Sequence, residues 1–396
     1  MAPIAFPQID TIGPEAVVMV ADPESGMQGV LVVDSTLLGP AGGGIRMLPD
    51  VTVDEVAALA RAMTYKYGII GLPRGGSKAG IVGNPGMPAE TRKRYMQAFG
   101  RVLAPYLKSR IVAVGPDMGV GVEDLVEIYA AAGAEYPRSG LFAKKVDGLP
   151  LEFHITGHGV YVAARAAFEA ASRPFKGATV AVEGFGHVGV GVSNYAVKNG
   201  AKLVAVSTIK GAVYDEQGLD FDKLMALRAN HGDSCVLEYP AGKKIANTDI
   251  YYLPVDLLIP GARPYVITER NAGRVQAKII SSGSNIPITE GAEQMLFERG
   301  ILSVPDFIAN AGGIIASWVD YLGGNIDQAF EANEKLIGAV AREVLAESAK
   351  RKINPRKVAA GMVADRIAAN RGKPRKSWEE VREEIRARLG VFEAAA

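Results

Sequence analysis

Two lysines twelve positions apart, Lys66 and Lys78, both lie among small or apolar residues rather than in a run of charges. The chain around them reads Met-Thr-Tyr-Lys at 63–66 and Leu-Pro-Arg-Gly-Gly-Ser-Lys at 72–78. An ammonium group is strongly hydrated and is normally left in water, so two of them in such a stretch indicate an anion site or an amine with a shifted pKa. We therefore interpret this stretch as a reaction centre.

A second chemical signal is a glycine-rich turn between a strand pattern at 179–183 and a helical pattern that runs to Lys198. The turn reads Gly184-Phe185-Gly186-His187-Val188-Gly189. Glycines at these spacings allow a tight turn, close approach of a pyrophosphate to backbone N–H groups, and close packing of the helix on the strand. The pattern predicts a dinucleotide site, and the alternative is a turn with a structural role alone.

The next strand pattern, at 202–206, ends without the carboxylate that would bind the ribose hydroxyls of NAD. Ser207, Thr208 and Lys210 follow it and offer hydroxyls and a positive charge, which would suit a 2′-phosphate. The sequence therefore favours NADP over NAD as the cofactor. Two alternatives stay open, because the adenosine pocket could be completed from elsewhere and Lys210 could be a solvated loop lysine.

Composition excludes several classes of partner. The 396 residues include 44 Lys and Arg against 43 Asp and Glu, a net charge of +1, which gives no reason to expect nucleic acid or an acidic membrane surface. No apolar run reaches the ~20 residues of a membrane span and no signal-peptide pattern is present, so cytoplasm is the expected location. With Cys235 as the single cysteine and only scattered histidines, no metal site is expected.

The spacing of apolar stretches predicts an α/β protein with two domains. Strand patterns at 178–182, 202–206, 255–259 and 278–282 alternate with helical ones, which is the mark of parallel βαβ units. The predicted organisation is an N-terminal α/β substrate domain, a Rossmann-like dinucleotide-binding domain, and C-terminal helices that return to the first domain. The predicted boundaries are 1–149, 150–325 and 326–396.

Six ordered motifs carry a resemblance to a known family. They are Gly39-Pro40-Ala41-Gly42-Gly43-Gly44-Ile45-Arg46, Met63 to Lys66, Leu72 to Lys78, Gly115-Pro116-Asp117-Met118-Gly119, Thr156-Gly157-His158-Gly159-Val160 and Asn310-Ala311-Gly312-Gly313. In order and spacing they resemble the signatures of the Glu/Leu/Phe/Val (amino-acid) dehydrogenases. The resemblance implies reversible, NAD(P)-dependent oxidative deamination of an L-amino acid to a 2-oxo acid and ammonia, by a homo-oligomer.

The resemblance also implies roles for the reaction-centre residues. Lys66 would hold the substrate α-carboxylate, and backbone groups of Gly43 and Gly44 would line the same pocket. Lys78 would act as the base toward water, and Asp117 would exchange protons with the substrate amine. Taken singly, these residues could instead be a helix-surface lysine, a phosphate-binding loop lysine and a turn aspartate.

On the cofactor side, the resemblance places Thr156 at the nicotinamide carboxamide and Asn310 beside the nicotinamide ribose. Asn285, Gly261 and Ala262 match turns near the cofactor. Asn310 could alternatively be the cap of a helix that starts at Ala311.

One departure from the family bears on the substrate. Glutamate-specific members carry a lysine that pairs with the side-chain carboxylate at the position of Gly42. The rest of the side-chain pocket carries over as Gly115, Gly313, Ile314 and Ser317. Such a pocket is roomy and mostly apolar, and it predicts a bulky apolar or aromatic substrate in preference to glutamate.

The residues leave three other interpretations. The chain could be a glutamate dehydrogenase with an atypical side-chain pocket, in which Arg74 supplies the cation. The position of Arg74 in the sequence indicates the rim of the pocket. Ser317 would also fit this interpretation. It could be a nucleotide-binding regulator without turnover, but that would give no reason to keep both lysines and Asp117. A malic-enzyme-like decarboxylase would need clustered carboxylates around Lys78, and the sequence has none there.

Overall fold

A computed structural model describes residues 7–136 and 140–391 of the chain. Contacts divide the chain into two compact units. Unit 1 comprises the described residues of Met1–Arg138 together with Gly361–Arg388, and unit 2 those of Ser139–Ala360 together with Leu389–Ala396. The domain boundaries after residues 149 and 325 stay predictions.

Unit 1 is built on a five-stranded mixed sheet. Its strands are β1 (Ala16–Asp22), β2 (Met27–Ser35), β3 (Ala41–Leu48), β4 (Gly75–Val82) and β5 (Val112–Pro116), and its first helices are α1 (Val53–Ile70), α2 (Ala89–Lys108) and α3 (Val122–Ala131). The strand order is β1-β2-β4-β3-β5. Strand β3 pairs in parallel with the central strand β4 and with β5, whereas β2 is antiparallel to both of its neighbours.

Strand alternation sends successive side chains of β3 to opposite faces of this sheet. Ala41, Ile45 and Met47 join the apolar core that α2 and α3 also line. Gly42, Gly44 and Arg46 therefore point to the other face, which α1 covers. This α1 face carries the polar chemistry of unit 1.

Helix α1 is fixed at both ends by local sequence. The Thr52 hydroxyl accepts a hydrogen bond from the Glu55 N–H at the start, and Gly71 ends the helix in a left-handed conformation with φ of 73°. Near its C-terminus, Arg366 donates to the carbonyls of Gly68 and Ile69. Because both ends of α1 are fixed in this way, the position of Lys66 on the helix is fixed as well.

The second unit contains a seven-stranded sheet with helices. Its elements are β6 (Lys145–Val146), β7 (Leu149–Pro150), α4 (Ile155–Ala170), β8 (Thr179–Glu183), α5 (His187–Lys198), β9 (Lys202–Thr208), β10 (Gly211–Tyr214), α6 (Phe221–His231), α7 (Cys235–Glu238), β11 (Lys243–Ile245), β12 (Leu257–Pro260), β13 (Ile279–Ser281), α8 (Glu290–Glu298), β14 (Leu302–Val304), α9 (Asp306–Ala309), α10 (Gly312–Tyr321) and α11 (Ile326–Arg351). Two more helices, α12 (Pro355–Asn370) and α13 (Trp378–Leu389), complete the chain. The division between the units at 360 and 361 falls within α12.

The strand order in this sheet is β11-β10-β9-β8-β12-β13-β14. The adjacent strands β9, β8, β12, β13 and β14 run parallel, and β10 and β11 add an antiparallel edge. Each of the four predicted strands is present, and the predicted two-domain α/β fold is confirmed. Among the described residues, no helix is both long and apolar enough to cross a bilayer.

One local expectation was wrong. The alternative interpretation of Lys78 as a phosphate-binding loop lysine places it in a loop, but Gly75–Val82 is strand β4 at the centre of the sheet. Its glycines are required by close packing: a Cβ on Gly76 would lie 2.2 Å from the Thr64 nitrogen and 2.4 Å from the Ala60 oxygen of α1. The helix backbone thus lies directly on this strand.

Candidate active site and dinucleotide site

Lys78 and Asp117 form a buried ion pair on the α1 face of unit 1. The Lys78 Nζ lies 2.8 Å from Asp117 Oδ2, and Lys78 is only 4% exposed. Gly44 of β3 flanks the pair, since a Cβ there would lie 2.8 Å from the Asp117 Cβ and 3.3 Å from the Lys78 Nζ. Only glycine leaves room at this position for both groups and for a reactant beside them.

Arg46 is a second cation on the same carboxylate, and it was not among the predicted site residues. Its Nε lies 3.2 Å from Asp117 Oδ2, while its Nη1 lies 2.5 Å from Glu55 Oε1. Burial by itself would raise the pKa of Asp117, but the charges of Lys78 and Arg46 outweigh it and hold that pKa well below its ordinary value. Side chains alternate along a strand, so Arg46 could have been predicted on this face from its position two residues after Gly44.

Lys66 lies in α1 and is 5% exposed. It is therefore not the helix-surface lysine of the alternative interpretation. Gly43 lies between Gly42 and Gly44 on β3, and a Cβ there would lie 1.7 Å from the Ser77 oxygen of β4, so close strand pairing requires it. Gly115 on β5 is open, because a Cβ there would meet nothing closer than the Gly43 oxygen at 3.8 Å.

Arg74 lies deep in unit 1 rather than at a rim, which corrects the expectation from its position in the sequence. It is 1% exposed, and its Nη2 donates to the Ala41 oxygen at 2.9 Å. A Cβ on Gly42 would lie 2.8 Å from that Nη2 and 2.8 Å from the Tyr67 hydroxyl. The guanidinium and the phenol thus occupy the space that a side chain at position 42 would need.

In unit 2, the glycine-rich turn has the geometry of a phosphate cradle. Gly184 has a φ of +85°, and a Cβ on Gly189 would lie 1.8 Å from the Gly184 oxygen, so neither position accepts another residue. A Cβ on Gly186 would meet no atom within 4 Å. Helix α5 starts directly after Gly186 without a side-chain cap. The open space at these helix N–H groups fits a dinucleotide pyrophosphate.

The other residues of the turn have different environments. Phe185 is buried, and its carbonyl accepts from Arg228 Nε at 2.9 Å. His187 is exposed and its Nδ1 lies 3.2 Å from Glu152 Oε1. Val188 is half-buried and packs near Gly283.

Glu183, at the end of β8, has a structural contact that the sequence did not reveal. Its Oε2 accepts from the backbone N–H groups of Gly261 and Ala262, both at 2.8 Å. Burial raises the pKa of Glu183, while these two hydrogen bonds act in the opposite direction. The carboxylate therefore ties the turn after β12 to β8, and it places Gly261 and Ala262 beside Gly184.

The structure brings only one of the three predicted 2′-phosphate residues to the surface. The Ser207 hydroxyl accepts from the Gly184 N–H at 3.3 Å, and the Thr208 hydroxyl donates to the Asp233 oxygen at 2.6 Å. Both residues are buried, so their hydroxyls support the fold locally. Lys210 is exposed.

Asn310 and Asn285 meet in unit 2. The Asn310 Nδ2 donates to the Ser284 oxygen at 3.0 Å and to Asn285 Oδ1 at 3.1 Å, so Asn310 is not the cap of α10, which starts at Gly312. Its Oδ1 is buried and has no hydrogen-bond partner among the described residues. A buried acceptor without a donor fits a ligand that supplies one, as a nicotinamide riboside can.

The remaining predicted residues lie on α4 and α10. A Cβ on Gly313 would lie 2.9 Å from the Thr156 hydroxyl oxygen, so these two residues are neighbours. Ile314 is half-buried, and the exposed Ser317 donates its hydroxyl to the Gly313 oxygen at 2.9 Å.

The fold and the two sites define a dinucleotide-dependent oxidoreductase class, and comparison with known proteins gives the family. The family model for Glutamate/Leucine/Phenylalanine/Valine dehydrogenase matches residues 148–372, and that for the Glu/Leu/Phe/Val dehydrogenase dimerisation domain matches residues 14–132. The chain belongs to the Glu/Leu/Phe/Val dehydrogenases, a family of NAD(P)-dependent amino-acid dehydrogenases.

Individual relatives differ in the substrate that their names state. The chain is 39% identical over 300 residues to a glutamate dehydrogenase of Aeropyrum pernix, covering 73% of this chain and 70% of that protein. Its structure is similar to hetero-hexameric glutamate dehydrogenase from Thermus thermophilus in a leucine-bound form, with a TM-score of 0.78, 25% identity, and 90% and 89% of the two chains covered. L-tryptophan dehydrogenase from Nostoc punctiforme is also similar, with a TM-score of 0.66, 25% identity, and 91% and 97% covered.

Proposed function

We propose that this protein catalyses the reversible oxidative deamination of an L-amino acid to its 2-oxo acid and ammonia. The observation that carries the proposal is the ion pair of the buried Lys78 with Asp117 beside Gly44, on the face of the sheet that α1 covers. A bound nicotinamide would accept the hydride from the substrate Cα. An ammonium and a carboxylate in contact can then move the protons that amine oxidation and hydrolysis require.

The proton steps follow from these two groups. The substrate ammonium must lose a proton before the Cα–H bond breaks, and the ionised Asp117 can accept it. Hydride transfer then leaves an iminium, which takes up water at Cα, and Lys78 would receive the water proton. Asp117 would return its proton to the nitrogen of this tetrahedral intermediate; the C–N bond then breaks as the C=O bond forms, and the hydroxyl proton passes to the departing ammonia, which leaves as ammonium. Lys66, buried on α1, would hold the α-carboxylate throughout.

We propose the second unit as the cofactor site, with the pyrophosphate at the turn Gly184 to Gly189 and at the N-terminus of α5. Asn310 and Asn285 would face the nicotinamide riboside, Thr156 the carboxamide, and Gly261 with Ala262 the neighbouring turn. Lys210 supports a preference for NADP, because it is an exposed cation after β9 where no carboxylate stands. Ser207 and Thr208 no longer add to that preference, since their hydroxyls are engaged within the chain.

Two classes of substrate side chain are candidates, each favoured by a different observation. The bulky apolar or aromatic class is supported by the open space at Gly115. The acidic class, with glutamate as its type, is supported by the buried guanidinium of Arg74 beside Gly42.

We also propose a homo-oligomer. The match of residues 14–132 to a dimerisation-domain model supports self-association. The Thermus thermophilus relative is described as a hetero-hexamer. This supports assembly, but it does not give the number of subunits for this chain.

The reaction is tested through Lys78→Met. We expect this variant to lose at least about a hundredfold in kcat, because it removes the proton-transfer group, and to bind NADPH as the wild type does. Lys93→Met is the matched control: Lys93 also pairs with a carboxylate, Glu127 at 3.2 Å, but it is half-exposed on α2. The control should keep full activity, and unchanged turnover in Lys78→Met would contradict the assigned role.

A further inference from the structure

A buried cluster of one arginine and two carboxylates lies in unit 2 and takes no part in the proposed proton steps. Arg356, in the first turn of α12, pairs through its Nη2 with Asp306 at the start of α9. The Arg356 Nε lies 3.0 Å from Glu293 Oε1 on α8. The side chains of the two acids are at most 2% exposed. Loss of one partner would leave a buried charge without compensation, so the cluster fixes its members relative to one another.

Asp306 uses its second carboxylate oxygen to hold the chain segment that follows β13. Its Oδ2 accepts from the Ile286 N–H at 2.9 Å, and the Ile286 carbonyl accepts from the Tyr265 N–H at 2.9 Å. Ile286 has a φ of 45°, in the left-handed region that a β-branched residue rarely adopts. Such a backbone conformation persists only where the surrounding structure imposes it. The Asp306 carboxylate is therefore one of the contacts that impose this turn.

Asp306 also contacts the segment that carries Asn310. The Asn310 N–H donates to the Asp306 carbonyl at 2.9 Å, and Asn285 immediately precedes Ile286. The Asn310 Nδ2 in turn donates to Asn285 Oδ1 at 3.1 Å. One aspartate thus joins the two segments whose asparagines meet, and it holds them where the buried Asn310 Oδ1 has no hydrogen-bond partner among the described residues.

We propose that Asp306 is a positioning residue for the nicotinamide half of the cofactor. Its carboxylate fixes the turn at Asn285, its carbonyl fixes Asn310, and Arg356 holds the carboxylate in the orientation that the turn requires. This inference rests on the proposed cofactor site. An acceptor that is already in place spares the ordering of this segment when the nicotinamide riboside binds. The pyrophosphate end of the cofactor, at the turn Gly184 to Gly189, should not depend on Asp306.

The test compares the dissociation constants of NADPH and 2′-phospho-ADP, which keeps the adenosine and pyrophosphate parts and lacks the nicotinamide riboside. Asp306→Asn replaces one acceptor oxygen by a donor, so either the Ile286 N–H or Arg356 loses its partner. We expect this variant to bind NADPH about tenfold more weakly than the wild type and 2′-phospho-ADP equally well, by titration calorimetry without an oxo acid. NADH and ADP replace this pair of ligands if the wild type prefers NADH. Equal weakening for both ligands, or for neither, would overturn the positioning role.

Glu293→Gln is the matched control. Glu293 is also buried and contacts the same guanidinium, but the change leaves the hydrogen bond from Ile286 to Asp306 in place. Burial raises the pKa of Glu293, so a neutral amide of the same shape is a mild replacement. This variant should bind both ligands as the wild type does. A loss of NADPH affinity as large as that in Asp306→Asn would overturn the inference, because the cluster would then act through folding alone.

Hydrogen exchange of the wild-type protein without cofactor provides a measurement that does not depend on a folded variant. The Ile286 amide should exchange at least about a hundredfold more slowly than an unprotected amide, because its hydrogen bond to a buried carboxylate is present before the cofactor binds. An unprotected Ile286 amide in the free protein would overturn the inference. Absence of both NADPH and NADH binding by the wild type would instead contradict the proposed cofactor site.

Discussion

At the scale of single residues, one oxygen atom organises the reaction site. Asp117 Oδ2 accepts from Lys78 and from Arg46, and two cations on one carboxylate keep it ionised despite burial. The ion pair therefore also holds the Lys78 ammonium group in one orientation. Arg46 pairs with Glu55 and Asp117, so we expect any effect of Arg46 on the reaction to pass through Asp117.

Arg46→Met should raise the pKa of Asp117 toward its ordinary value, because one of two stabilising charges is lost. The acidic limb of the kcat/KM profile should therefore move to higher pH. The same sign holds for stability: a depressed carboxyl pKa stabilises the fold above the ordinary Asp pKa, and this contribution is lost as pH falls through the folded value. In the variant this contribution should be smaller and should be fully lost at a higher pH, as measured by denaturant unfolding over a pH series.

Glu55→Gln is the control for this prediction, since it removes the other partner of Arg46 and leaves Asp117 with both cations. Its acidic limb should coincide with that of the wild type. A shift in Glu55→Gln as large as that in Arg46→Met would show that Asp117 is not the group that responds.

Sequence reasoning at this scale found residues whose type is unusual for their surroundings. Lys66 and Lys78 were recognised because charge in an apolar stretch is costly. Arg46 was not predicted as a site residue, and Arg74 was expected at the rim. An arginine beside a run of glycines is equally typical of the protein surface. Their positions depend on pairing between β3, β4 and α1, which connect residues far apart in the chain.

At the scale of elements, the two sheets differ in how clearly the sequence predicts them. Strands β8, β9, β12 and β13 were predicted because buried parallel strands are short Val-, Ile- and Ala-rich runs between helices. Strands β3 and β4 contain Gly42–Gly44 and Gly75–Gly76, and glycine is poorly represented in strands. They form because α1 and the neighbouring backbone approach too closely for side chains, a constraint that is not local.

The turn before α5 gives the prediction at this scale. Gly186→Ala should leave the free energy of unfolding unchanged, because the added methyl meets no protein atom within 4 Å. It should weaken NADPH binding by about tenfold or more, since the methyl would enter the proposed pyrophosphate space. The measurements are denaturant unfolding and a fluorescence titration of NADPH without any oxo acid.

Gly273→Ala serves as the control in the same unit, because a Cβ at Gly273 also meets no atom within 4 Å and this residue lies away from the turn. It should match the wild type in both measurements. Unaltered NADPH affinity in Gly186→Ala would argue against a pyrophosphate at the N-terminus of α5.

At the scale of the whole molecule, each unit contributes a different part of the chemistry. Unit 1 holds the Lys78–Asp117 pair that we propose for proton transfer, and unit 2 holds the turn that we propose for the dinucleotide and the Asn310–Asn285 pair. Membership of the Glu/Leu/Phe/Val dehydrogenases accounts for both sets in one chain. The sequence indicates the same division, which stays a prediction, because the motifs for the two proposed functions are separated along the chain.

The most direct measurement is oxidation of NADPH and of NADH by the wild-type protein, with and without ammonium, across 2-oxoglutarate, 4-methyl-2-oxopentanoate, phenylpyruvate, indolepyruvate and pyruvate. We expect turnover that requires both ammonium and an oxo acid and is faster with NADPH, and the relative rates with 2-oxoglutarate and the apolar oxo acids distinguish the two proposed substrate classes. Oxidation independent of ammonium, or none with any of these oxo acids, would contradict the assignment of this protein as an amino-acid dehydrogenase.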